Sequence, residues 1–138
     1  MENYDINRHS IYKLQYHLVV VTKYRNKVIN FEINKRLKEI VFNLFETKWK
    51  LKIIEVETET DHIHIVFEGN PQTQLSKLIN NFKTVSSRLI RKEFKEHISN
   101  YYWKIPFWSP SYCITSIGGV SLEVIKKYVQ SQNKPSSY

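Results

Sequence analysis

Asp61-His62-Ile63-His64-Ile65-Val66-Phe67-Glu68 is the stretch that decides how this chain is read. Its alternation is that of a β-strand, in which successive side chains point to opposite faces. Ile63, Ile65 and Phe67 then enter a core, while His62, His64 and Val66 share the other face at roughly 7 Å spacing. Two imidazoles held this way form a candidate clamp for a divalent metal, because a strand buried on one side fixes both rings with little entropy left to lose. The competing reading is a pair of exposed histidines on a strand.

Outward from this strand, the order of elements is legible. Ile11 to Thr22 alternates: Tyr12, Leu14, Tyr16, Leu18 and Val20 face one side, and Lys13, Gln15, His17, Val19 and Val21 the other. Ile33, Leu37, Ile40, Val41, Leu44 and Phe45 fall at helical spacing between Phe31 and Trp49, with Asn30 as N-cap. Leu51 to Thr58 and His62 to Glu68 flank a polar turn at Glu59 to Asp61 and pair as an antiparallel hairpin. A second long helix is expected from about Gln74 to Lys95. Its buried stripe is Leu75, Leu78, Ile79, Phe82, Val85, Leu89, Ile90 and Phe94. Tyr112 to Ser116 reads as a fourth strand.

The order βαββαβ predicts an α+β fold: a ferredoxin-like or RRM-like antiparallel sheet with both helices on one face and the first and third strands central. The open face would then carry Lys13, Gln15 and His17 beside His62 and His64, a polar and basic surface able to take a metal. Beyond Gly118-Gly119, a flexible tether, a last helix over 121–132 has Leu122, Val124, Ile125 and Val129 on its apolar side. Tyr128 and Gln132 share one face of it. The amide oxygen of Gln132 is a candidate third ligand, which would place Tyr128 near whatever the metal binds. Lys126 and Lys127 beside Tyr128 are expected to favour its phenolate.

The 138 residues make one domain, 1–138, with 1–10 as an N-terminal extension and 133–138 as a tail. Lys+Arg 21 against Asp+Glu 13 leaves a net charge of +8, which predicts a polyanionic partner. Lys13, Lys23, Arg25, Lys83, Arg88, Arg91, Lys126 and Lys127 are candidates for phosphate contact without sequence reading. Trp103, Trp108 and Tyr112 could stack on bases, although core packing competes for them. A single cysteine, Cys113, excludes an internal disulfide and fits a reducing cytoplasm. No signal peptide, membrane-spanning run or glycine-rich phosphate loop is present, so neither a membrane nor a nucleotide cofactor is expected.

Taken together, these features resemble the single-tyrosine HUH transposases of the insertion-sequence 200/605 group. The resemblance runs through Tyr16-His17-Leu18-Val19 with Thr22-Lys23-Tyr24-Arg25, then Asp61-His62-Ile63-His64, Trp108-Ser109-Pro110-Ser111-Tyr112, Gly119-Val120-Ser121 and Tyr128-Val129-Gln130-Ser131-Gln132. Glu59-Thr60 departs from it, standing where a Met-Pro pair is expected. The resemblance implies that His62, His64 and Gln132 hold Mg²⁺ or Mn²⁺ and that Tyr128 is the catalytic nucleophile. Single-stranded DNA with hairpin ends is then cleaved and rejoined through a 5′-phosphotyrosine. It further implies a homodimer whose tyrosine helix acts in trans, with Gly118 and Gly119 as hinge. Asp61 could orient a ligand or serve as a turn residue, the role the sequence favours, and His17 could stand behind the ligands or be satisfied within the sheet. Three other readings compete: a non-catalytic RRM-like nucleic-acid binder, a metal-dependent hydrolase that needs no tyrosine, and a domesticated relative with the same chemistry. The first would want aromatics where His62 and His64 stand.

Overall fold

The computed structural model describes residues 5–6, 11–12, 14–70, 72–102, 106–116 and 122–133; Lys13, Trp103 and the expected hinge Gly118-Gly119 lie outside them. Two short strands, β1 (Asp5–Ile6) and β2 (Ile11–Tyr12), pair with each other. The main sheet has four strands: β3 (Leu14–Val21), β4 (Lys52–Glu59), β5 (His62–Gly69) and β6 (Cys113–Ser116). Their order is β4-β5-β3-β6 and every neighbour is antiparallel, so the expected first and third strands lie at the centre. The first strand is shorter than the alternation predicts. The β3–β5 ladder begins at Leu14 opposite Gly69, where β5 ends, and Ile11–Tyr12 instead pairs with Asp5–Ile6, inside the expected extension.

Helix α1 (Phe31–Phe42) starts where Asn30 accepts the Ile33 amide with its side chain, then widens into a π-helical turn over Asn43–Lys48. Helix α2 (Leu75–Glu93) is followed by a short α3 (Lys95–Ser99) that the periodicity does not separate from it. Both long helices cover one face of the sheet. Ile33, Leu37 and Phe45 meet Leu78, Ile79 and Phe82 over Leu18, Val20, Ile63, Ile65 and Phe67. Phe45 packs edge-on against both Phe67 and Phe82.

The aromatic segment before β6 completes this core. Trp108 is 3% exposed and donates its indole N–H to Ser86 in the middle of α2, so it is no platform for a base. Tyr112 is half-buried against the same cluster.

The far face of the sheet differs from expectation. Helix α4 (Leu122–Ser131) lies along β3, with Ile125 and Val129 buried on Val19 and Val21. The face is therefore not an open polar surface, because these two valines alternate onto it and need cover. Among the described residues no helix is long and apolar enough to cross a membrane.

Candidate active site

His62 and His64 point from β5 into a recess of about 360 Å³ on this second face, their ring centroids 4.7 Å apart. One wall comes from β4. Glu57 stands opposite His64 and Glu59 opposite His62, and directly paired residues share a face. The other wall is α4, through Ile125, Lys126, Val129 and Gln130.

Each imidazole is held from behind. His62 donates Nδ1–H to Asp61 Oδ1 at 2.6 Å, and Asp61 Oδ2 accepts from Arg25 Nε at 3.0 Å. Burial acts to raise the Asp61 pKa, but the hydrogen bonds from His62 and Arg25 outweigh it and hold the carboxyl below its ordinary range. Asp61 thus orients His62 as well as occupying the turn, which corrects the preference for a turn role alone. His64 Nδ1 lies 2.9 Å from His17 Nε2, a diagonal contact from β3. Burial, then the neighbouring His62 and His17, lower His64 to about 4, and burial lowers His17. Both rings are therefore neutral at physiological pH.

The turn behind Asp61 is under backbone strain. Tyr24 and Arg25, at φ 59° and 55°, sit in the left-handed region in the 3₁₀ turn Lys23–Arg25. Thr22, fully buried, pins it: its amide and hydroxyl both donate to the Asp61 carbonyl and its hydroxyl also to Asn26 O. That conformation aims Arg25 at Asp61 and, through Nη1, at Asn133 just past α4.

Tyr128 and Gln132 lie elsewhere. Ser111 Oγ is 3.0 Å from Tyr128 Oη, and Ser109 Oγ donates to Gln132 Oε1 at 2.5 Å. Gln132 lines a separate recess of about 210 Å³ with Lys23, Ser109 and Ser111. Since β5 and β6 flank β3 on opposite sides, α4 forms a ridge between the histidines and the Tyr128 and Gln132 pair. Burial raises the Tyr128 pKa, with the Ser111 hydrogen bond pulling weakly the other way. The expectation that Lys126 and Lys127 favour phenolate is not met here: both lysines are exposed, and Lys126 lines the histidine recess.

Several candidate phosphate contacts have internal partners. Arg25 is held as described. Lys83 donates to the carbonyl of Ser109 at 2.7 Å, and burial lowers its pKa. Arg91 lies over the Tyr102 ring at 5.7 Å and Lys23 over Tyr24 at 4.9 Å. Arg88 stays exposed in a shallow groove with Lys83 and Trp108, and Lys127 is exposed on α4. Glu57 and Glu59 were not singled out as site residues, though the hairpin register alone places them there. Ser109 and Ser111 enter the sequence reading only within a stretch of the resemblance and without a role, because their partners come from α2 and from α4 and the residue after it.

As a donor set, two imidazoles with Nδ1 engaged and Nε2 remaining suit a divalent metal. Among the described residues no group of three His, Cys, Asp or Glu side chains is placed to hold one, so further donors must come from elsewhere.

Residues 10–132 match the family described as "Transposase IS200 like". The chain is 29% identical over 123 residues to the ISDra2 transposase TnpA of Deinococcus radiodurans, covering 89% of this chain and 86% of that protein. It is 28% identical over 125 residues to the transposase of insertion sequence element IS200 from Salmonella typhimurium, covering 90% and 80%. A crystal structure assigned as a Deinococcus radiodurans transposase superposes with a TM-score of 0.81 at 29% identity, over 95% of this chain and 99% of that one. A REP-associated tyrosine transposase bound to a REP hairpin shares the fold at a TM-score of 0.56 and 12% identity, over 91% and 67%.

Proposed function

Because the chain belongs to the IS200-like transposase family, we propose that it mobilises an insertion sequence by cleaving and rejoining single-stranded DNA at hairpin ends, with Tyr128 as nucleophile. The observation that carries this reading is the pair His62 and His64 in one recess, each Nδ1 engaged from behind. These two residues, with Gln132, would hold Mg²⁺ or Mn²⁺, which when bound supplies charge to polarise the scissile phosphate.

The chain's own residues do the rest. Tyr128 oxygen attacks phosphorus as the phenolic proton passes to solvent. The O–P bond forms, the bond from phosphorus to the 3′ oxygen breaks, the departing oxygen takes a proton from solvent, and a 3′-hydroxyl and a 5′-phosphotyrosine remain. Attack by another 3′-hydroxyl reverses the exchange and joins strands. The ester conserves the bond energy, so no nucleotide cofactor is required.

Burial raises the Tyr128 pKa, and Ser111 holds its hydroxyl on the side of α4 away from the histidine recess, so attack at that recess calls for α4 to move. Gly118-Gly119, preceding the helix in sequence, is the proposed hinge. The ridge of α4 between the two halves of the site favours assembly in trans, with one copy's Tyr128 and Gln132 meeting its partner's histidine pair.

The test is incubation with labelled single strands carrying the element's own hairpin ends, with Mn²⁺ or EDTA, followed by a denaturing gel. A metal-dependent protein-DNA adduct lost in Tyr128→Phe and His64→Ala is expected. Cleavage without an adduct points to a hydrolase and overturns the reading.

A further inference from the structure

We propose that His17 is a positioning residue that fixes the tautomer of His64: His17 Nε2 accepts Nδ1–H from His64, so that His64 keeps its Nε2 lone pair for the recess. The proposal rests on the metal reading above and extends it to a residue which that reading leaves without a role.

The argument starts from the contact itself. Two ring nitrogens 2.9 Å apart share one proton, and only one of the two neutral arrangements leaves His64 able to ligate. If His17 donated, His64 Nδ1 would accept, and the His64 proton would sit on Nε2, where a metal must bind. Free histidine in water favours that non-ligating Nε2–H form, so the ligating one has to be imposed. His62 shows the same device with a different acceptor, since Asp61 takes its Nδ1–H.

The two acceptors differ for a physical reason. A second carboxylate behind His64 would add a negative charge to a pair that Glu57 and Glu59 already face from β4. A neutral imidazole accepts the proton without adding charge. Its placement is secure, because β3 and β5 pair continuously from Leu14 to Val21 and His17 sits opposite Val66, one diagonal step from His64. The rings are 5.1 Å apart between centroids and tilted by 41°, which suits an in-plane N–H···N bond rather than stacking.

The test needs two readouts on the full chain. In the metal-free wild type, nitrogen-15 NMR of the histidine side chains should show His64 protonated on Nδ1 and His17 on Nδ1, each with a bare Nε2. His17→Leu removes the acceptor and should return His64 to the Nε2–H form, whereas His17→Gln, whose amide oxygen accepts the same proton, should preserve it. Mn²⁺ titration should then give about 10- to 100-fold weaker binding for His17→Leu, and affinity within about threefold of wild type for His17→Gln. A wild-type His64 carrying Nε2–H, or a folded His17→Leu chain that binds Mn²⁺ like wild type, overturns the proposal. A wild type with His64 in the Nδ1–H form that takes up no Mn²⁺ supports the role of His17 and overturns the metal reading alone.

Discussion

Asp61 has both carboxylate oxygens engaged, one by the His62 ring and one by Arg25, and is only 5% exposed. Asp61→Asn keeps the shape but loses the charge, and its amide can present an acceptor to only one of the two groups. We expect Mn²⁺ affinity to fall by about 10-fold or more, read by titration, with the hairpin register intact. The sequence identified Asp61 through its turn position. It could not show that the side chain folds back on its neighbour, because strand periodicity says nothing of a residue at the turn. His62 and His64 were legible because alternation alone sets their face. Ser86 was illegible: a serine in an apolar helical stripe reads as a break in it, yet its hydroxyl donates to the Phe82 carbonyl at 2.6 Å and accepts the Trp108 indole N–H at 2.9 Å. Ser86→Ala strands that buried N–H and should cost about 1–3 kcal/mol in urea unfolding.

Between elements, the two core-covering helices are joined by Arg36 of α1, whose Nε and Nη2 donate to the two oxygens of Glu93 on α2 at 2.8 and 3.1 Å. The Arg36 hydrogen bond holds Glu93 below the ordinary glutamate range. A depressed folded pKa stabilises above the unfolded value, about 4.3, and that stability is lost as pH falls through the folded value. Both side chains are about a third exposed, so solvent screening limits the pair to about 0.5 kcal/mol. Glu93→Gln should therefore be slightly less stable than wild type at pH 7, with the difference shrinking as pH falls below the unfolded value, by thermal melts across that range. The element order and the apolar stripes were readable because they are local. The covering of β3 by α4 was not: the second face was expected to be open and polar although Val19 and Val21 alternate onto it, because nothing local named Ile125 and Val129 as their cover.

Across the molecule, α4 separates the proposed catalytic groups of one chain, and this has a consequence for mixed assemblies. Suppose Tyr128→Phe and His64→Ala chains are each inactive in forming the covalent adduct. If sites assemble in trans, a mixed dimer has one site built from the tyrosine of the His64→Ala chain and the histidines of the Tyr128→Phe chain, and one site lacking both. Random pairing in a two-fold dimer then restores about a quarter of wild-type adduct. If each chain completes its own site, every site in the mixture lacks one essential group and no adduct appears. Denaturing gels distinguish the outcomes further when one chain carries a size tag: only the His64→Ala chain, which retains Tyr128, should carry labelled DNA. Dilution sharpens the result, because a shared site loses activity as the dimer dissociates, whereas a site complete within one chain keeps its activity per molecule. The α4 ridge between the His62–His64 recess and Ser111-bound Tyr128 argues for the shared arrangement.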